Sequence, residues 1–224
     1  MSTVTRRSVV SGMLAGAAAS IIRASPAQAQ QAARAMKQYK NSDFYGADGK
    51  FNAAAAREAY YEMMRAFNYP IVDRLKTDDF WALDFNLGNF LEAGMGGIFW
   101  VNNKEHNYFG HEIFLLPGQA IPEHKHVKTD VPCKMEGWQP RHGMIYLFGE
   151  GAPSAEIKEP VPPMHGEYAK TRCVGMLKPG QVVGLPKAEE WHFMKAGPEG
   201  AIVTEYGTYH DGAGLRFSHP KVKL

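Results

Sequence analysis

Cysteine is scarce in this chain, at 2 of 224 residues. Two thiols close at most one disulfide, so a packed core has to hold the fold. Cys133 and Cys173 could form that bridge in an oxidising compartment, or Cys133 could be a soft metal ligand or an inert thiol. Long apolar runs are missing beyond the first thirty residues, and no later stretch is suited to crossing a bilayer as a helix. A one-sided charge is missing too. Lys and Arg number 25 against 23 Asp and Glu, a formal charge of +2. Three of the basic residues, Arg6, Arg7 and Arg23, precede residue 30. Without them the balance is 22 against 23, or −1, which removes the basic footprint expected of a nucleic-acid or membrane-surface binder.

Those first residues read as a secretory leader. Arg6-Arg7 precedes an apolar run from Val9 to Ile22, and Ala27-Gln28-Ala29 is a small-x-small cleavage site. Residues 1–29 are therefore expected to be a twin-arginine-type signal peptide, with the mature protein periplasmic or secreted. Thr5-Arg6-Arg7-Ser8-Val9-Val10 lacks the usual Phe and Lys of that route. The remaining 195 residues suffice for one domain with a sizeable core, and there is no internal repeat.

Residues 30–51 are polar and carry Gly and Asp, the composition of a flexible lead-in. Residues 52–224 read as a single domain that opens on helix. Asn52 is a candidate N-cap, and Tyr60, Met63, Met64 and Phe67 recur at helical spacing until Asn68-Tyr69-Pro70 ends the pattern. A short helical piece follows at Ile71–Leu75. From Phe80 the pattern turns to short strands: Phe80–Phe85, Gly96–Val101, Tyr108–Leu116, Ala120–Val127, Met144–Phe148, Thr171–Leu177, Gln181–Leu185, Trp191–Met194 and Ala201–Tyr206. Gly/Pro turns separate them, at Lys178-Pro179-Gly180 and Gly197-Pro198-Glu199-Gly200 among others. Many short strands of this kind build a sandwich or small barrel, so the fold is expected to be mainly β. The proline-rich stretch Gly151–Gly166 reads as a surface loop.

The chemistry concentrates between Gly118 and Gly143. His124 and His126 are two apart, which on a strand aims both rings at one face. Glu136 follows after nine residues, and His192 offers a third imidazole. Three His and one Glu are borderline donors that suit Mn, Fe, Co, Ni or Zn. His106, His142, His165 and His219 lack this spacing and read as surface or structural.

This spacing resembles the metal motifs of the cupin superfamily, a double-stranded β-helix or jelly-roll barrel. Gly118, His124, His126, Glu136 and Gly143 fit its first motif, apart from an insertion at Val127–Met135. That insertion leaves Glu136, Asp130 and Cys133 as candidates for the carboxylate or thiolate position, Glu136 being favoured by its spacing to Gly143. Gly180, Pro186 and His192 follow its second motif approximately, with Ala188 and Ala196 departing from it. More narrowly, the helical segment, Trp81-Ala-Leu-Asp84-Phe85, His124-Lys-His126, Lys134-Met-Glu136 and Glu205 resemble the D-lyxose isomerase-type sugar isomerases.

The resemblance implies a divalent metal, manganese first among the candidates, held by His124, His126, Glu136 and His192. It implies aldose–ketose isomerisation of a pentose or related sugar. Glu205 would be the base, and Lys134 the cation at a sugar oxygen. Tyr206, Tyr209, His210, Asp211 and Arg216 are candidates for binding sugar hydroxyls. A homodimer is the expected assembly. Two other functions remain open on the residues alone: an exported Fe(II) cupin oxygenase, and a metal- or sugar-binding cupin without turnover.

Overall fold

The computed structural model describes residues 37–224. The leader read at residues 1–29 lies outside the described residues. The first described stretch, expected to be flexible, instead folds onto the domain. Asn41–Phe44 makes a 3-10 turn whose Phe44 is fully buried. It is held against Phe90 at a ring separation of 4.7 Å.

Helix α1 spans Ala53–Ala66. The Asn52 side chain accepts from the Ala55 N–H, satisfying one of the orphan donors of the first turn. Tyr60, Met63 and Met64 face inward and are fully buried, each contributing about 2 kcal/mol of apolar burial. A 3-10 turn at Asp73–Lys76 follows.

Among the described residues nine strands form one antiparallel sheet that curls around an interior: β1 Phe80–Leu83, β2 Met95–Asn103, β3 Tyr108–Leu115, β4 His124–His126, β5 Glu136–Gly149, β6 Arg172–Leu177, β7 Val183–Gly184, β8 His192–Gly207 and β9 Leu215–Phe217. The neighbour order is β1-β2-β3-β8-β4-β9, with β5 pairing β6, β7 and β8. Strand alternation separates two cores. On β3, Phe114 points out beneath α1, while Ile113 and Leu115 point into the curl. On β8, Ile202 joins the helix side, and Ala201 and Val203 join the interior. This is the mainly β jelly-roll architecture expected, with the helical segment covering one outer face.

Phe80–Phe85 shortens to Phe80–Leu83, Gln181–Leu185 shortens to Val183–Gly184, and Leu215–Phe217 adds a strand not expected; three further strand expectations change. Ala120–Val127 narrows to His124–His126, preceded by isolated bridges at Ala120. The runs Trp191–Met194 and Ala201–Tyr206 are one strand. Gly197-Pro198-Glu199-Gly200 does not end it, because β5 runs alongside with register shifts around His142 and Met144. The residues that signal a turn also permit a bulge. Gly143, at φ +67°, makes the bend possible. A Cβ there would meet the Gly200 carbonyl oxygen at 1.9 Å. Thirdly, β5 starts at Glu136, eight residues before the expected Met144. Gly151–Gly166 forms the expected loop up to a 3-10 segment at Pro163–Tyr168. His165 within that segment is fully buried and stacks on Phe193 at 4.2 Å, so it serves structure. Cys133 and Cys173 are both free thiols, which corrects the possible disulfide.

Candidate active site and metal centre

The curl encloses a cavity of about 380 Å³. At one end four side chains converge. His124 and His126 project from one face of β4, as their spacing requires, while Lys125 between them turns outward to Glu189 at 3.6 Å. His192 lies directly opposite His124 at the start of β8. Glu136 enters from the first residue of β5. One donor atom from each lies within 4.8 Å of the other three. Asp130, exposed, and Cys133, whose Sγ donates to the His126 carbonyl at 2.8 Å, stand outside this cluster.

Ring orientation is set from behind. His124 Nδ1 lies 2.9 Å from the Pro122 carbonyl and His192 Nδ1 lies 2.8 Å from the Glu190 carbonyl. A carbonyl only accepts, so each Nδ1 carries a proton, and Nε2 is the nitrogen turned to the cavity. Burial, reinforced by His192 and His126, pushes the His124 pKa well below the ordinary histidine value, so this ring is neutral. Burial opposes charge on His192 as well, but the Glu136 carboxylate outweighs it and raises that pKa.

The cluster fits a divalent cation. His126 Nε2 and His192 Nε2 are buried without a hydrogen-bond partner among the described residues. Glu136 Oε1 approaches them at 3.4 and 2.6 Å, but without hydrogen-bond alignment. Donors that converge on one point without satisfying each other are the arrangement of a ligand set. Three imidazole nitrogens and a carboxylate suit a borderline transition metal.

Beside the cluster lies a second charged group. Lys134, 5% exposed, places Nζ 2.5 Å from Glu136 Oε2 and also bonds Glu205 Oε1. Burial alone would lower the lysine pKa, but the two carboxylates more than offset it and raise it. Burial opposes charge on Glu136, yet Lys134 and His126 prevail and hold its carboxyl well below the usual range. Glu205 faces inward with Ala201 and Val203, as strand alternation requires.

Of the five residues expected to bind hydroxyls, His210 alone lines the cavity. Its Nδ1 is buried and unpartnered, and Asn102 pins its backbone on both sides. Burial, then the Lys134 and His126 charges, lowers its pKa to about 3, so the ring is neutral. Tyr206 is one residue out of phase with Glu205 and points outward, where its hydroxyl donates to Gln139 and accepts from Arg141. Arg216 alternates away from the site and donates to the Ala213 and Leu215 carbonyls. Asp211 accepts from Thr129 and caps a turn. Tyr209 does not line the cavity; its N–H donates to Asn107. The sequence reading passed over His111, whose Nδ1 is 3.1 Å from Glu205 Oε2. The remainder of the wall is mostly apolar and includes Leu83, Met95, Ile113, Ile121, Met194 and Phe217, with Trp81 and Trp138 carrying an indole N–H each.

A curled β barrel with three imidazoles and a carboxylate converging inside it defines the cupin class. The chain matches no protein-family model. It is 32% identical over 170 residues to the D-lyxose ketol-isomerase of Cohnella laeviribosi, covering 75% of this chain and 91% of that protein. It is 31% identical over 169 residues to the D-lyxose/D-mannose isomerase of Thermosediminibacter oceani, with coverage of 75% and 91%. Among solved structures, the L-ribose isomerase of Cellulomonas parahominis with L-psicose superposes at a TM-score of 0.55. That likeness has 16% identity and covers 74% of this chain and 90% of that one, which supports the fold. The chain belongs to the D-lyxose isomerase family of cupin-type sugar isomerases.

Proposed function

We propose that this protein is a metal-dependent aldose–ketose isomerase acting on a free pentose or hexose of the D-lyxose and D-mannose type. The observation that carries the reading is a buried carboxylate, Glu205, beside an inward-facing cluster able to hold a divalent cation. The relatives' names supply the sugar class.

His124, His126, Glu136 and His192 would hold the metal, which when bound supplies Lewis-acid polarisation of the sugar oxygens. Glu205 takes the proton from C2 of the open-chain aldose and returns it to C1. A hydroxyl proton passes from O2 to O1, so nothing is consumed. Lys134 Nζ, between Glu136 and Glu205, donates to the oxygen on which negative charge develops. The apolar wall keeps water away from the proton held on Glu205.

Manganese is the metal we propose, with the donor set also compatible with iron, cobalt, nickel or zinc. The Arg6-Arg7 leader supports an exported, periplasmic or secreted site of action. The test is Glu205→Gln, assayed for conversion of D-lyxose. Loss of at least a hundredfold in kcat with metal content retained supports the role. An unchanged rate refutes it.

A further inference from the structure

His111 lies directly opposite Glu205 in the β3–β8 register. Its ring is 4% exposed and boxed by Trp81, Phe99 and Phe109, with ring separations of 5.6, 4.8 and 5.6 Å. Gly97 makes room for it. A Cβ there would come within 2.5 Å of both His111 Nε2 and the Trp81 ring. Among the described residues Nε2 has no hydrogen-bond partner, and the polar partner of this ring is Glu205, through Nδ1 and Oε2 at 3.1 Å. An ionised carboxylate only accepts, so Nδ1 donates.

Glu205 is thus held at both oxygens, Oε2 by His111 and Oε1 by Lys134. The two anchors differ in kind. Lys134 sits on a flexible stem and is shared with Glu136. His111 is a rigid ring in an aromatic slot. Isomerisation asks one carboxylate oxygen to reach two carbons about 1.5 Å apart without surrendering the proton to water. A carboxylate free at both oxygens would swing about its terminal bonds.

We infer that His111 is a positioning residue: it pins Oε2 of Glu205 so that Oε1 serves both carbons of the sugar. This rests on Glu205 being the base. The hydrogen bond, and not the bulk of the ring, carries the effect. His111→Phe keeps the ring and deletes the donor. His111→Asn puts an amide nitrogen near the former Nδ1. Gly97→Ala crowds the ring from behind and leaves both partners chemically intact.

The experiment measures kcat, KM, metal content and folding for these variants on D-lyxose, together with the share of label carried from C2 to C1 when C2-deuterated sugar turns over in ordinary water. His111→Phe is expected to lower kcat about 10- to 100-fold, with KM within about twofold, metal retained and more label lost to solvent. His111→Asn should recover part of the rate and of the label transfer, and Gly97→Ala should move in the direction of His111→Phe. A kcat within twofold of the parent and unchanged label transfer in His111→Phe overturn the inference. So does a loss that His111→Asn does not relieve and that comes with lost metal or lost fold, because the ring would then only be packing. Glu205→Gln, run alongside, separates the two readings. If it stays active, the assignment of the base fails. If it is inactive while His111→Phe is silent, the failure belongs to His111 alone.

Discussion

Lys134 Nζ lies 2.5 Å from Glu136 Oε2 while the other oxygen of that carboxylate faces His126 and His192. One carboxylate therefore serves both the metal cluster and the ammonium. Two carboxylates against one ammonium leave Glu136, Glu205 and Lys134 at −1 in a buried space, which favours a divalent cation.

Removing the ammonium should make that balance visible. Lys134→Met leaves two buried carboxylates without their shared cation, a change that costs about 3–5 kcal/mol when a buried pair loses one partner. The metal-free variant is expected to melt well below the metal-free parent, and added Mn²⁺ should recover more of the Tm in the variant than in the parent. Thermal melts with and without metal check this. Equal Tm values for the two metal-free proteins would contradict it.

The acid limb of stability should carry a signature of His165. Its Nε2 accepts from the Glu123 N–H at 2.9 Å, and burial, only partly opposed by Glu123, lowers its pKa to about 4. In the unfolded chain the value is about 6.5. Between those values the unfolded chain binds a proton that the folded one refuses. The stability present above pH 6.5 is therefore lost as pH falls toward 4, by about 3 kcal/mol. His165→Gln retains an acceptor and does not titrate. Denaturant unfolding across this window should show a shallower pH slope in the variant, and equal slopes would contradict the assignment.

The apolar wall bears on specificity. Leu83, Met95, Ile113, Ile121, Met194 and Phe217 offer no hydrogen-bonding groups to the far end of a sugar. A site built to bond a hydroxyl rejects the deoxy analogue by about 10⁴-fold, whereas an apolar pocket discriminates by no more than about 10²-fold. The kcat/KM for 5-deoxy-D-lyxose should therefore lie within about a hundredfold of that for D-lyxose. A loss beyond a thousandfold would mean that a polar group serves the terminal hydroxyl.

The ligand cluster was legible in the sequence because it rests on the shortest-range rule available. His124 and His126 share a strand face whatever the tertiary fold, and the spacing of Glu136 to Gly143 overcame the long insertion before it. Glu205 shares its strand face with Ala201 and Val203, but that this face lines the cavity depends on the curl of the sheet and not on local spacing. The same phase turns Tyr206, the next residue, to the opposite face, where its hydroxyl donates to Gln139. His111 escaped because its partner lies 94 residues away on another strand, and no local spacing announces a cross-strand pair. Its place in the run Phe109-x-His111-x-Ile113-x-Leu115 was the available signal. The break expected at Gly197–Gly200 failed because a bulge in a long strand and a turn between two short ones draw on the same residues.

The most direct measurement is D-lyxose isomerisation by the purified protein before chelation, after chelation, and after readdition of Mn²⁺, Fe²⁺, Co²⁺, Ni²⁺ or Zn²⁺, with bound metal quantified at each stage. The expected result is about one ion per chain, loss of turnover on chelation, recovery with at least one of these ions, and neither binding nor recovery in the His124→Ala/His192→Ala protein. Full turnover in metal-free protein, or stoichiometric metal in that double variant, would contradict the account.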